Sequence, residues 1–118
     1  MGAEVVLVGS RSERAELTKS FGAIAGEAAI LAGEMDIKGT AVLIESCDLA
    51  IANDSGIGHI AAAVDTPLVA LFGPTNEQVC GPMSEHARVV TADVACRPCY
   101  LLGIDGPVEA CRNRICLT

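Results

Sequence analysis

The run Asn53-Asp54-Ser55-Gly56-Ile57-Gly58-His59 gathers a carboxylate, a hydroxyl, two glycines and an imidazole into one short stretch. The apolar residues Leu49-Ala50-Ile51-Ala52 lead into it and a second apolar run leaves it, which places the group at a strand-to-helix junction. The backbone N–H groups of Gly56, Ile57 and Gly58 would then point outward from the first turn, beyond the reach of the helix's own carbonyls. Glycine at 56 and 58 leaves no side chain to keep a ligand from that backbone. Aligned peptide dipoles add about half a positive charge, worth on the order of 1 kcal/mol to a bound anion. Ser55 can add a hydroxyl donor, and His59 a ring N–H to a phosphate oxygen. Asp54 repels phosphate but suits a sugar hydroxyl. The same residues also suit a plain N-cap and turn, with His59 a satisfied core histidine.

Regular elements must hold such a junction in place. Residues 5–8, 28–32, 49–52 and 68–72 are nearly continuous apolar runs, the pattern of parallel strands covered on both faces. Residues 88–91 suit a further short strand. Between them stand helix signals. Ser10-Arg11-Ser12-Glu13 fits a capping box, with Ser10 as N-cap and Glu13 at N3, opening a helix to about Phe21. Asp36 can cap a second helix with Ile37, Ala41 and Ile44 on one face. A third helix, about 56–64, is apolar almost all round and is expected to be buried. Alternation of strand and helix predicts an α/β fold, a doubly wound parallel sheet of Rossmann-like type. The α/β part is expected to occupy residues 1–94. Residues 95–118 change to Cys, Arg, Gly and Pro, and are expected to form an appended Cys-rich loop region.

Two phosphate-binding motifs are excluded. The turn after the first strand, VGSRSE, has one glycine instead of the three of the dinucleotide fingerprint. No G-x-x-x-x-G-K-S/T occurs. An anion site therefore falls to Asp54-Ser55-Gly56.

Composition narrows the ligand. The chain is 51% hydrophobic with mean hydropathy +0.45, outside the disordered regime, and its length suits one compact domain. Net charge is −7 with no basic block, which argues against nucleic acid, since that surface needs clustered Lys and Arg. A phosphorylated small molecule held by a helix start remains compatible with this field. Glu4 stands where a signal peptide would carry a basic residue, and Val6 where N-myristoylation wants Ser or Thr. No run of about 18 apolar residues occurs, and the expected location is the cytoplasm.

Cys96, Cys99, Cys111 and Cys116 follow C-x2-C-x11-C-x4-C, while Cys47 and Cys80 lie apart. Four thiolates so spaced could hold a structural zinc ion that pins a loop lacking its own core. Free thiols, or disulfides formed on exposure to oxidant, are the alternative; a reducing cytoplasm disfavours disulfides. No neighbouring His or carboxylate set suggests an open catalytic metal position.

The block from Asp48 through Asn53-Asp54-Ser55-Gly56-x-x-His59-x-Ala61-Ala62-Ala63, then Thr66-Pro67-Leu68-Val69-Ala70-Leu71-Phe72-Gly73-Pro74-Thr75, resembles the signature of the heptosyltransferases of glycosyltransferase family nine. The likeness extends upstream through VVLVGS and AGEMDIKGTAVLIESCD and downstream through Gly81-Pro82 and Cys96-Arg97-Pro98-Cys99. It implies a GT-B enzyme that moves heptose from ADP-heptose to the lipopolysaccharide core with inversion and needs no cofactor for transfer. By that resemblance Asp54, Ser55, Gly56 and His59 line the donor site, Ser55 and Gly56 on the diphosphate and Asp54 on the sugar side. Met35 would lie by the adenine, although a place in the core suits it as well. Gly9 and Ser10 would edge the nucleotide cleft, and Pro74-Thr75 would close it; capping alone also accounts for Ser10. Family members are considerably longer and carry an acceptor domain that supplies the base. The resemblance thus implies that this chain is the C-terminal, donor-binding half, inactive alone, working in the cytoplasm or at the inner face of the cytoplasmic membrane. Two other classes stay open: a non-catalytic, zinc-organised cysteine-rich module on an α/β scaffold, and another GT-B-like nucleotide-sugar enzyme such as an epimerase.

Overall fold

The computed structural model describes residues 2–21, 28–100, 111 and 114–117. They fall into two compact units, Met1–Leu43 and Ile44–Thr118.

In the first unit β1 (Val6–Leu7) and β2 (Ala29–Ile30) pair in parallel, with α1 (Arg14–Phe21) between them in sequence. The strands are shorter than the apolar runs, but their ladder continues through Ala29 N–H to the Val5 carbonyl and Leu31 N–H to the Leu7 carbonyl. It ends where Gly33 N–H donates to the Gly9 carbonyl at 2.9 Å. The capping box forms only in part. The Glu13 carboxylate accepts from Ser10 N–H at 2.7 Å and from the Ser10 hydroxyl at 2.6 Å, so that hydroxyl donates to the side chain and not to the role of acceptor expected at an N-cap. Residues 11–13 form a turn, and the Glu13 carbonyl accepts the first helical bond, from Leu17 N–H.

The next helix, α2 (Ile37–Glu45), spans the boundary between the units. Asp36 caps it as predicted, its carboxylate accepting from Gly39 N–H at 2.8 Å. Of the three residues placed on its apolar face, Ile44 is buried, Ala41 half-buried and Ile37 exposed.

The second unit carries β3 (Ala50–Asn53), α3 (Gly56–Ala63), β4 (Leu68–Phe72), α4 (Glu77–Cys80) and β5 (Ala87–Thr91). Its three strands lie in the order β3-β4-β5, all parallel, with Ala52 opposite Ala70 and Ala70 opposite Val89. Ala50, Ala52, Leu68, Ala70 and Phe72 point to one face and are buried with Ala61 of α3 and Ile44. Alanine on facing positions allows close approach of helix and sheet, so a dense core forms with few aromatics. Ile51 and Leu71, on the other face, are exposed; the continuous apolar strands are covered on one side here. α3 is likewise half-sided: Gly58 and Ala61 are buried, while Gly56, His59 and Ala63 are exposed.

α3 ends in a Schellman arrangement, with Thr66 N–H on the Ala61 carbonyl, Asp65 N–H on that of Ala62, and Asp65 at φ 60. The buried Thr66 hydroxyl donates to the Ile44 carbonyl at 2.9 Å, joining the end of α2 to the turn that opens β4. β3, α3 and β4 are thereby fixed as one strand–helix–strand unit, and the junction at residues 53–56 sits at the carboxyl end of its first strand.

Candidate functional site

β3 hands over to α3 within two residues. Asp54 N–H extends the ladder to the Leu71 carbonyl at 3.0 Å, and Ser55 is the N-cap in extended conformation. Its hydroxyl makes no capping bond, so the oxygen that an N-cap ordinarily offers to a helix N–H is not taken up by the helix. The Ser55 carbonyl accepts from Gly58 N–H at 3.1 Å. This corrects one expectation: of the three N–H groups expected to point outward, that of Gly58 is satisfied internally, while those of Gly56 and Ile57 have no backbone partner among the described residues. A Cβ at Gly56 would meet nothing within 4 Å, whereas one at Gly58 would touch Ala52, Asn53 and Leu68. Gly56 serves access from outside; Gly58 serves the packing of α3 on the sheet.

Asn53, Asp54, Ser55, Gly58, His59, Ala70, Phe72 and Pro82 line an open pocket. It is a shallow depression open to solvent, well short of the enclosed volume of a complete small-molecule site. His59 is exposed at its rim, which removes the core-histidine alternative. The pocket therefore brings the Ser55 hydroxyl, the His59 imidazole and the Asp54 carboxylate together, next in sequence to the Gly56 and Ile57 N–H groups.

Thr75 does not line the pocket but acts on it. Its hydroxyl donates to Asp54 Oδ2 at 2.5 Å, which fixes one carboxylate oxygen and leaves the other for a ligand. Behind it stands a residue to which sequence reasoning assigned no role. Arg97 donates from Nε to the Gly73 carbonyl at 2.9 Å, and from Nη2 to the Thr75 carbonyl at 3.3 Å and to Glu77 Oε2 at 2.9 Å. Its side chain is 9% exposed. The N–H groups of Cys99 and Tyr100 both donate to the Pro74 carbonyl. The start of the Cys-rich segment is thus laced to the loop after β4 and belongs with the second unit. The signal was the pattern Cys96-Arg97-Pro98-Cys99, whose cysteines drew attention from the arginine between them.

The Glu77 carboxyl is held below its ordinary range, first by its own backbone N–H and then by Arg97. A depressed folded-state value means that the stabilisation is present above the unfolded value, about 4.3, and is lost as pH falls through the folded one. Acidification below about pH 4 should therefore shift the Cys99 and Tyr100 amide resonances together, while Glu77→Gln should abolish that dependence.

Gly9, Ser10 and Met35 belong to the first unit. Gly9 ends the β1 ladder, the Ser10 hydroxyl is engaged by Glu13 and Ser12, and Met35 is half-buried beside Gly39. All six cysteines are free thiols. Among the described residues, which include Cys96, Cys99, Cys111 and Cys116, no three His, Cys, Asp or Glu side chains converge as metal ligands. Nor, among the described residues, is any helix long and apolar enough to cross a membrane.

Comparison with known proteins agrees with the geometry. Residues 1–102 match the family model for glycosyltransferase family 9 (heptosyltransferase). Lipopolysaccharide heptosyltransferase 2 of Salmonella typhimurium is 39% identical over 93 residues, covering 75% of this chain and 27% of that protein. Lipopolysaccharide heptosyltransferase 1 of Pseudomonas aeruginosa is 35% identical over 91 residues, covering 77% of this chain and 25% of that protein. Among solved structures, the E. coli ADP-heptose LPS heptosyltransferase II superposes with TM-score 0.74 at 34% identity, covering 80% of this chain and 30% of its own. A family 9 glycosyltransferase from Veillonella parvula gives 0.72 at 29% identity. The chain thus spans under a third of the relatives it matches, in the part that carries the β3–α3 junction, and it belongs to glycosyltransferase family 9, the heptosyltransferase family.

Proposed function

We propose that this chain is the donor-binding portion of an inverting glycosyltransferase that moves heptose from ADP-heptose to the lipopolysaccharide core, in the cytoplasm or at the inner face of the cytoplasmic membrane. The carrying observation is the start of α3: two N–H groups without backbone partners and an uncapped Ser55 hydroxyl stand beside a carboxylate held by Thr75. The names of the relatives supply the substrate classes.

In this reading the N–H groups of Gly56 and Ile57, the Ser55 hydroxyl and the His59 ring take the diphosphate. Asp54 accepts from sugar hydroxyls through its remaining lone pairs. Inverting transfer requires that the leaving nucleoside diphosphate gain charge as the bond to the sugar breaks, and donors already aimed at that charge lower the barrier. A base must remove the acceptor's hydroxyl proton. Asp54 is poorly suited to that task, since one of its carboxylate oxygens is already engaged by the Thr75 hydroxyl. The base and the acceptor are assigned to the remainder of the enzyme.

Gly56→Val tests the assignment. A Cβ there meets nothing within 4 Å, so the variant should fold, but its branched side chain would stand over the two free N–H groups. ADP affinity by calorimetry should fall about tenfold, or roughly 1.4 kcal/mol. Unchanged affinity in a folded variant would remove the anion site from α3.

A further inference from the structure

We propose that Arg97 is a positioning residue for the donor pocket, clamping the loop after β4 so that the Thr75 hydroxyl is delivered to Asp54. The inference rests on the donor-site reading above and adds to it a residue from the Cys-rich segment.

Three observations carry it. The Arg97 guanidinium is almost fully removed from solvent and is bound on two of its nitrogens by the Gly73 and Thr75 carbonyls and by Glu77. A buried guanidinium is costly unless its N–H groups are matched, and its planar fork fixes the geometry of what it holds. The carbonyls it grips bracket Pro74 and include that of Thr75 itself, the residue whose side chain reaches Asp54. The loop carries a second tie in the Cys99 and Tyr100 N–H groups on the Pro74 carbonyl, so Arg97 refines a loop that is already fastened. Lysine could keep the charge and the stem but could not span two carbonyls and a carboxylate with one ammonium at the same angles. The expected consequence is selective: the diphosphate donors on α3 owe nothing to this loop, whereas the orientation of Asp54, on the sugar side, does.

The test uses the 118-residue chain, its Arg97→Lys, Arg97→Ala and Thr75→Val variants, and the double variant of the last two. In ligand-free protein, the Asp54 side-chain carboxyl resonance is read by carbon NMR. It should move in the same direction in Thr75→Val, Arg97→Ala and Arg97→Lys. An Asp54 signal that stays put in both folded Arg97 variants overturns the proposal, whatever the ligand titrations show. ADP and ADP-heptose are then titrated. Arg97→Lys should weaken ADP-heptose about tenfold while ADP stays within about twofold. The double variant should lose no more than Thr75→Val alone, since the two residues act in series. Losses that add in full, or equal losses for both ligands, also overturn it. Wild-type protein that binds neither ligand defeats the donor-site reading instead, and the resonance of Asp54 still decides whether the clamp exists. Should Arg97→Ala fail to fold, Arg97→Lys carries both measurements.

Discussion

Titrated with ADP, the 118-residue chain should show binding only in the millimolar range, about −4 kcal/mol, and mixed with ADP-heptose and a lipopolysaccharide acceptor it should give no detectable transfer. The expectation follows from what the second unit offers. Two N–H groups, one hydroxyl and a helix dipole oppose the diphosphate charge, and the dipole is worth only on the order of 1 kcal/mol. Among the described residues no Lys or Arg lines the pocket, and the net charge of −7 sets the overall field against an anion. The pocket is shallow and open, and it cannot enclose a nucleotide sugar or exclude water from a reacting carbon. The chain also spans 27% of the Salmonella relative. Longer protein that includes the rest of the enzyme should restore both affinity and turnover. Robust transfer by these residues alone, in a preparation free of full-length enzyme, would overturn the reading.

The largest effect on stability is expected at Gly33. It sits at φ +73, and a Cβ there would lie 2.5 Å from the Arg11 Cα and 2.9 Å from its backbone nitrogen. Backbone cannot swing aside as a flexible side chain can. Gly33→Val would add the strain of a branched residue in the left-handed region, roughly 1–3 kcal/mol, to overpacking of roughly 1–3 kcal/mol. A total near 4 kcal/mol is a large share of a typical domain's 5–15. Exchange of the Ala29, Leu31 and residue-33 amides, which donate to the Val5, Leu7 and Gly9 carbonyls, should rise by more than a hundredfold. Protection within tenfold of the parent would show that the Gly33–Arg11 approach is not required. Gly73 offers a contrast, since the atoms a Cβ would meet belong to the Leu117 side chain, which can move.

How much of this was legible beforehand differs by element. Asp36 and the β3–α3 junction were readable because both depend on neighbours in sequence: a capping carboxylate three residues from its N–H, and glycines at a helix start. The apolar runs gave β4 to the residue and β5 within one. Where sequence reasoning fell short, the cause was nonlocal. Gly58 looked equivalent to Gly56, and only packing against Ala52 and Leu68 separates a structural glycine from an accessible one. Arg97 bonds residues more than twenty positions away, and no periodicity announces that. Ser10 and Glu13 illustrate a third limit, since the motif was right and the direction of the hydroxyl was not. The Cys spacing suggested a ligand set that the described thiols do not form.

The alanines between β3, β4 and α3 have a consequence for how variation in this protein would be read. Ala52, Ala61 and Ala70 set the height at which α3 rides above the sheet, and the first turn of that helix is the floor of the anion site. A methyl group added at any of them would tilt or lift the donors at Gly56 and Ile57 by a fraction of an ångström without touching a ligand. Selection for catalysis and selection for folding would then fall on the same codons. In a library scored for nucleotide affinity, these three silent-looking positions would surface beside the residues that face the substrate, and no assay of activity alone could tell the two groups apart.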